Sequence, residues 1–206
     1  MNEITAITPQ AKDKTRCSIY IDGRFCCGLT LETVVKNHLK VGKIVSESQL
    51  ADMQLESEKN TALNKALSFL SATRKTEREV RTYLAKKGYL PVVSDYVVAK
   101  LQEYGFINDG EYAEAYTESA AKRKGGRRIR MELKNKGLSD EAIDGALSGL
   151  DSEQELETAK GILEKYMRGK MVDKQTLQKA YRHLISKGFD YETTRAAIAA
   201  YGELDD

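Results

Sequence analysis

The residues of this sequence that could bind a ligand are mainly bases, and the densest group of them lies near the middle of the chain. Six of the nine residues from 122 to 130 are lysine or arginine, and they surround the pair Gly125-Gly126. A basic run of this kind can bind phosphates or acidic surfaces, although a single run is most often only a solvated surface. The six bases are Lys122, Arg123, Lys124, Arg127, Arg128 and Arg130.

Two smaller groups of bases precede and follow this run. The first group comprises Arg74, Lys75 and Arg78, and the last comprises Arg168, Lys170 and Lys174. If the three groups are equivalent by repeat, they would line one edge of a stack as a continuous positive track. This repetition favours a functional surface that faces a polyanion.

The sequence lacks the residue spacings that are typical of a catalytic, cofactor or metal site. His38 and His183 lie far apart, without the spacing of a metal-binding motif. Gly42-Lys43 and Gly169-Lys170 are not followed by Ser or Thr, so neither is a phosphate-binding loop. We therefore predict a protein that is not an enzyme, with no cofactor and no metal ion.

The positions of the bases depend on a short motif that occurs three times, with the pattern L-x-x-K-G followed by a large apolar residue. Its copies span residues 84–89, 133–138 and 184–189, and their glycines are 49 and 51 residues apart. The pattern is typical of a helix that ends in a Schellman cap, with glycine in the left-handed conformation. Three copies at nearly constant spacing indicate that one supersecondary unit is repeated.

The predicted fold is mainly α, with tandem three-helix repeats that resemble helix-turn-helix units and form an elongated stack. The bases lie at the junction between the first and second helix of each repeat. We expect Gly125-Gly126 to end the first helix of the second repeat, and Ser152 with Glu155 to form a capping box that begins the third repeat. The predicted segments are an N-terminal β element with a short helix at 1–45 and repeats at 46–106, 107–150 and 151–206.

The N-terminal segment is expected to form a β-hairpin or a small three-stranded sheet. Its β-rich stretches at 16–21 and 24–29 are separated by Asp22-Gly23, a dipeptide preferred in two-residue hairpin turns. With that turn, Tyr20 would face Phe25 and Ile19 would face Cys26.

The bulk properties describe a soluble, highly charged chain. Its 206 residues are 31% charged with a net charge of +2, and no apolar run approaches the ~20 residues of a membrane span. We therefore expect a cytoplasmic protein, most simply a monomer. Its three cysteines, Cys17, Cys26 and Cys27, are then interpreted as reduced, small apolar residues.

Two linked motifs in the middle of the chain resemble the central signature of the bacterial RecX proteins. The first is Phe106-Ile107-Asn108-Asp109-x-x-Tyr112-Ala113, and the second runs from Lys124-Gly125-Gly126-Arg127-Arg128-Ile129 to Lys136-Gly137. Residues 76–80 and 84–89 are similar to the first repeat of that family. The resemblance covers about residues 60 to 202 and leaves the first 45 or so residues outside it.

The resemblance implies a regulator of the RecA recombinase, and with it a role in homologous recombination, DNA repair and the SOS response. Family members bind RecA and its filament on single-stranded DNA, usually limiting filament growth, ATP hydrolysis and strand exchange, and some also bind DNA directly. The alternative is a nucleic-acid-binding protein that uses its helix-turn-helix-like units on DNA or RNA independently of RecA.

Overall fold

A computed structural model describes residues 2–202, so the extreme ends of the first and last predicted segments lie outside the described residues. The N-terminal segment forms a four-stranded antiparallel sheet with the strand order β3-β2-β1-β4. The sequence predicted at most three strands, and the fourth is a two-residue strand that pairs with the start of the first. The strands are β1 (Asn2–Pro9), β2 (Arg16–Ile21), β3 (Arg24–Thr30) and β4 (Ile44–Val45).

The β2–β3 hairpin turns at Asp22-Gly23, where both residues have positive φ angles, as a type I′ turn requires. Tyr20 pairs with Phe25 as predicted, and their rings meet edge to face with centroids 5.9 Å apart. The predicted pairing of Ile19 with Cys26 is wrong, because the register shifts and Ile19 pairs with Cys27. Cys26 is therefore the extra residue of a β-bulge and is exposed, whereas Cys17 and Cys27 are buried.

The described residues contain ten helices, of which α1 lies between β3 and β4 and the others follow β4. They are α1 (Leu31–Lys36), α2 (Glu47–Leu70), α3 (Glu77–Lys86), α4 (Pro91–Glu103), α5 (Asp109–Ala121), α6 (Gly126–Asn135), α7 (Asp140–Ser148), α8 (Ser152–Met167), α9 (Lys174–Lys187) and α10 (Tyr191–Ile198). The second half of α2 forms the first three-helix repeat with α3 and α4. Helices α5 to α7 and α8 to α10 form the second and third repeats.

The chain divides into two compact units, and each has its own apolar cores. One unit comprises the residues up to Lys75 together with Val80–Ile107, and the other comprises Thr76–Glu79 together with the residues from Asn108 onward. In the first unit, α2 contributes to two cores. Leu50 and Met53 pack with the sheet, while Ala62 and Ala66, farther along the same helix, pack in the core of the first repeat.

The three predicted Schellman caps are present. In each, the amide of the apolar residue after glycine donates to the carbonyl of the motif leucine, over N–O distances of 3.2 to 3.3 Å. The three glycines have φ angles between +84° and +94°. Leu84, Leu133 and Leu184 are fully buried, so each motif anchors the end of the second helix of its repeat.

Two predicted helix boundaries are wrong, and both involve contacts between the second and third repeats. Helix α5 already ends at Ala121, and Gly125 is the N-cap of α6. Helix α8 is capped by Asp151, whose carboxylate accepts from the amide of Glu153, and not by Ser152 with Glu155. The carboxylate of Glu155 instead accepts a hydrogen bond from the amide of Gly126, at 2.8 Å. No described helix is long and apolar enough to cross a membrane.

Candidate functional site

The junction between α5 and α6 holds a cluster of polar side chains around Glu132, which is half-buried. One carboxylate oxygen accepts from the Tyr116 hydroxyl at 2.6 Å, and Lys124 Nζ lies 2.6 Å from the same oxygen. The other oxygen lies 3.0 Å from Arg128 Nε. Glu132 thus accepts four hydrogen bonds from three side chains, two of them from Lys124, and these contacts fix both Lys124 and Arg128.

The cluster strongly favours the ionised form of Glu132. Burial alone would raise the pKa of this carboxyl group, but the hydrogen bonds from Lys124, Tyr116 and Arg128 outweigh it and hold the pKa at about 2. The same contacts raise the pKa of Lys124, so both groups stay charged at neutral pH. The cluster is thus a structural ion-pair network.

These contacts bear on the predicted polyanion-facing surface. Three of the six bases near Gly125 already have acidic partners within the chain. Lys124 and Arg128 pair with Glu132, and Arg130 Nη2 lies 2.5 Å from the carboxylate of Asp144. The side chains of Lys122 and Arg123, by contrast, are exposed and make no ion pair within residues 2–202. Arg127 is exposed, and its charge helps to lower the pKa of Asp190, after the larger effect of the Thr193 amide.

The junction between α8 and α9 is more open. Arg168 and Lys170 are exposed, and Lys170 Nζ lies 3.1 Å from the centroid of the Tyr166 ring. The Tyr166 ring also stacks on the His183 ring, with centroids 4.6 Å apart. Burial, followed by the charges of Lys187 and Lys170, lowers the pKa of His183, which favours the uncharged imidazole. Lys174 is exposed at the first position of α9.

The junction between α2 and α3 has the same general composition. Arg74 is exposed, and Lys75 Nζ lies 5.2 Å from the ring centroid of Phe69. Phe69 stacks on Tyr83 with ring centroids 4.3 Å apart. The guanidinium of Arg78 donates a hydrogen bond to the carbonyl of Asn135, so this base also has a partner in the chain.

All three junctions thus share a feature that the sequence analysis missed. A lysine lies over an aromatic ring of the first helix, and the residue just before the motif leucine contacts that ring. The lysine–ring pairs are Lys75–Phe69, Lys124–Tyr116 and Lys170–Tyr166, and the third members are Tyr83, Glu132 and His183. Aligning the three motif leucines would have revealed the third position, but the lysines have no constant spacing.

The junctions also form the contacts between successive modules within the second unit. The Thr76 hydroxyl donates to the carbonyl of Lys136, in the cap of the second repeat, at 2.9 Å. The ammonium of Lys136 lies 2.7 Å from the carboxylate of Glu79. The carboxylate of Asp109 accepts from the amide of Glu77 at 2.9 Å. The side chain of Arg78 covers Gly137 so closely that a Cβ there would collide with it.

The second and third repeats make the corresponding contact through backbone atoms. The amide of Gly125 donates to the carbonyl of Lys187, and the amide of Arg127 donates to the carbonyl of Gly188, both at 3.1 Å. A Cβ at Gly125 would overlap the backbone of Gly188, and a Cβ at Gly188 would overlap that of Arg128. Glycine is therefore needed at both positions for two backbones to approach each other.

The described residues contain no cluster of His, Cys, Asp or Glu that could hold a metal ion. Two surface depressions in the described residues lie beside α2 and are lined mainly by charged and polar side chains such as Asp52, Glu56 and Lys59. Basic side chains around the junctions therefore remain the best candidates for a binding surface.

Family models of four consecutive RecX domains match this chain. The N-terminal domain of the regulatory protein RecX matches residues 2–46, and the first, second and third three-helix domains match residues 62–101, 108–147 and 153–198. The first match corrects the expectation that the N-terminal residues lie outside the resemblance. The sheet is part of the family's architecture.

Whole-chain comparisons agree with these matches. The regulatory protein RecX of Listeria welshimeri is 35% identical over 98% of this chain and 77% of its own length, and that of Clostridium perfringens is 32% identical over 96% and 95%. A crystal structure of regulatory protein RecX covers 94% of this chain and 97% of its own, with a TM-score of 0.74 and 26% identity. A crystal structure of RecX from Lactobacillus salivarius covers 70% and 96%, with a TM-score of 0.66 and 26% identity. This chain therefore belongs to the family of the regulatory protein RecX.

Proposed function

We propose that this chain is a non-enzymatic regulator that binds the RecA recombinase and its filament on single-stranded DNA and limits filament growth. Lower ATPase activity and slower strand exchange would follow, because both require an extended filament. The observation that carries the proposal is the match of all four RecX domain models, in order, along the chain.

We further propose that the filament is contacted by those junction bases that have no acidic partner in the chain. Arg74, Lys122, Arg123 and Arg168 are exposed and make no ion pair in the described part of the chain, and Lys170 is exposed beside a tyrosine ring. Such side chains can neutralise phosphates or carboxylates of a partner without first breaking an internal contact. Lys124, Arg128 and Arg130 would have to give up theirs.

The direct test measures the rate of ATP hydrolysis by RecA on single-stranded DNA, with and without this protein. We expect the rate to fall as the protein is added, and filament length, measured by light scattering or electron microscopy, to fall with it. An unchanged rate and an unchanged filament at saturating protein would contradict the proposed function.

A pair of matched variants tests the proposed surface. Lys122→Gln with Arg123→Gln removes two bases without internal partners, whereas Arg130→Gln with Lys134→Gln removes two exposed bases that pair with Asp144 and Asp140. We expect the first variant to inhibit RecA less than the parent does, and the second to inhibit it as strongly as the parent. Binding of the first variant should also depend less steeply on salt, by roughly one power of salt concentration for each lost phosphate contact. Equal loss in both variants would mean that charge number, and not position, matters.

A second candidate function, DNA or RNA binding independent of RecA, is favoured by the lysine–aromatic pairs at the three junctions. A lysine beside an aromatic ring can contact a phosphate while nucleobases stack on aromatic side chains nearby. Salt-sensitive binding to DNA or RNA together with normal RecA activity would support this second function and exclude the first.

A further inference from the structure

Two contacts between modules in the second unit are built from the same kinds of group. The N-cap residue of one helix, Thr76 or Gly125, donates a hydrogen bond to the carbonyl of the cap lysine of the following repeat, Lys136 or Lys187. A carboxylate of the following repeat also accepts from the next amide along, which is Glu77 or Gly126. The junction at Thr76 therefore contacts the glycine cap of the second repeat, and the junction at Gly125 contacts the glycine cap of the third repeat in the same way.

The first repeat carries a cap that no described residue covers. Gly88 has the same left-handed conformation as the other cap glycines, with a φ of +84°. No described atom lies within 4 Å of a Cβ built at Gly88, whereas one built at Gly137 or Gly188 would collide with a neighbouring module. Gly88 is exposed, Gly137 is half-buried and Gly188 is buried.

The third repeat carries the counterpart of such a cap, namely a junction that no described residue covers. Its N-cap residue, Asp173, is exposed, whereas the equivalent Thr76 and Gly125 are buried. Just before Asp173, Met171 and Val172 are 84% and 55% exposed. The two residues at these positions in the other junctions are bases, so the apolar pair occurs only where the junction is open.

The uncovered cap of the first repeat likewise has an apolar residue where the covered caps have a polar one. The residue that follows the apolar cap residue is Ser139 in the second repeat and Asp190 in the third, but Leu90 in the first, where it is 61% exposed. Terminal modules of repeat proteins normally present a polar outer face, because an exposed module interface would lower solubility. The exposed apolar residues at the uncovered cap and at the uncovered junction therefore indicate an interface.

The first repeat also has a carboxylate at the position that corresponds to Glu155 in the third repeat. Glu155, which caps α6 in the contact between the second and third repeats, lies eleven residues before Tyr166, the ring under the junction lysine. Glu58 lies eleven residues before Phe69, the equivalent ring in the first repeat, and is exposed. It would lie close to the N-terminus of α9 and to the bases of the third junction.

We propose that the cap of the first repeat in one molecule docks on the third junction of a second molecule, repeating the internal contact between chains. The surfaces that meet are different on the two molecules, so the contact is heterologous and leaves one cap and one junction available for further copies. The internal contacts are helped by the high effective concentration within one chain, so the contact between separate chains is weaker than they are.

Two single substitutions block the two sides separately. Leu90→Asp places a charge on the cap, and since Leu90 is the N-cap residue of α4 and makes no side-chain cap, aspartate there is compatible with folding. Met171→Asp places the same charge on the junction, at a position with no packing to lose. Val41→Asp, at an exposed apolar residue in the loop before β4 and outside both the cap and the junction, is the matched control.

Sedimentation of the protein alone over about 10 µM to 1 mM provides the test, and its outcome does not depend on RecA. We expect the parent and Val41→Asp to associate progressively, and each blocked variant alone to remain a monomer. An equimolar mixture of Leu90→Asp and Met171→Asp should form a dimer and nothing larger, because one intact cap meets one intact junction. A parent that stays monomeric, a mixture that stays monomeric, or a control as impaired as the variants would each overturn the proposal.

Discussion

The caps of the first and third repeats share one sequence motif and one backbone conformation but have different surroundings. Gly88 and Gly188 both end a helix with a φ near +90°, and both caps close with the same pair of backbone hydrogen bonds. Around Gly88 there is open space, whereas Gly188 lies against the backbone of Arg128. A local motif therefore determines how a helix ends, while the neighbouring module determines how much the glycine matters.

The largest effect is expected for Gly188→Ala. The new Cβ adds the strain of a left-handed alanine to a collision with backbone atoms of Arg128, which cannot rotate away as a side chain can. We expect the free energy of unfolding to fall by about 3 kcal/mol, as measured by urea denaturation with circular dichroism. A loss of less than about 1 kcal/mol would mean that the two backbones do not approach as described.

Gly137→Val is expected to have the next largest effect. A β-branched residue is strongly disfavoured at a φ of +88°, and its Cβ would also displace the side chain of Arg78. Because that side chain is flexible, we expect a loss of about 2 kcal/mol, again from urea denaturation. A variant that unfolds like the parent would contradict the left-handed cap at Gly137.

Glu132→Gln tests how much the ion pairs at the junction between α5 and α6 stabilise the fold. The variant keeps an acceptor for Tyr116 but leaves Lys124 and Arg128 without a carboxylate, so we expect a loss of about 2 kcal/mol at pH 7. The ordinary pKa of this carboxyl group is 4.5 and the folded protein lowers it to about 2. The stabilisation is therefore complete above about pH 4.5 and is lost as the pH falls toward about 2.

The corresponding measurement compares the unfolding free energies of the parent and Glu132→Gln between pH 6 and about pH 3. We expect the difference to shrink as the pH falls below about 4.5, because the unfolded parent then binds a proton on Glu132 that the folded parent, with a pKa of about 2, does not. A difference that is constant over this range would show that the variant acts through packing and not through charge.

The smallest effect is expected for Gly88→Ala, the uncovered counterpart of the first variant. Only the left-handed conformation disfavours alanine there, since nothing lies within 4 Å of its Cβ. We expect a loss of about 1 kcal/mol. If Gly88→Ala destabilises the protein as much as Gly188→Ala, the neighbouring module does not determine how costly it is to replace the cap glycine.

The sequence was sufficient to predict features that depend on neighbouring residues. The Schellman caps and the Asp22-Gly23 turn both follow from short-range patterns, and both are present. The repeats could be recognised because the motif L-x-x-K-G is retained in each. The resemblance to RecX proteins rested on the same short segments, which is why the sheet was not included in it.

Features that depend on distant residues could not be predicted in this way. Glu155 has the spacing of a capping-box residue, but its carboxylate binds the amide of Gly126 on another module. Gly125-Gly126 has the composition of a helix end, but it begins α6 because Gly125 must approach Gly188. Likewise, nothing local distinguishes Arg128, which pairs with Glu132, from Arg123, which is exposed. The binding surface therefore stays a prediction, while the fold could largely be read from the sequence.

Helix α2 has a consequence for how the first unit unfolds. Because Leu50 and Met53 belong to the core of the sheet and Ala62 and Ala66 to the core of the first repeat, one continuous helix connects the two cores. Neither core can lose its part of α2 without weakening the other. The amide protons of β2 and α4 should therefore exchange with solvent through a shared opening reaction, which makes the sheet and the first repeat a single cooperative folding unit.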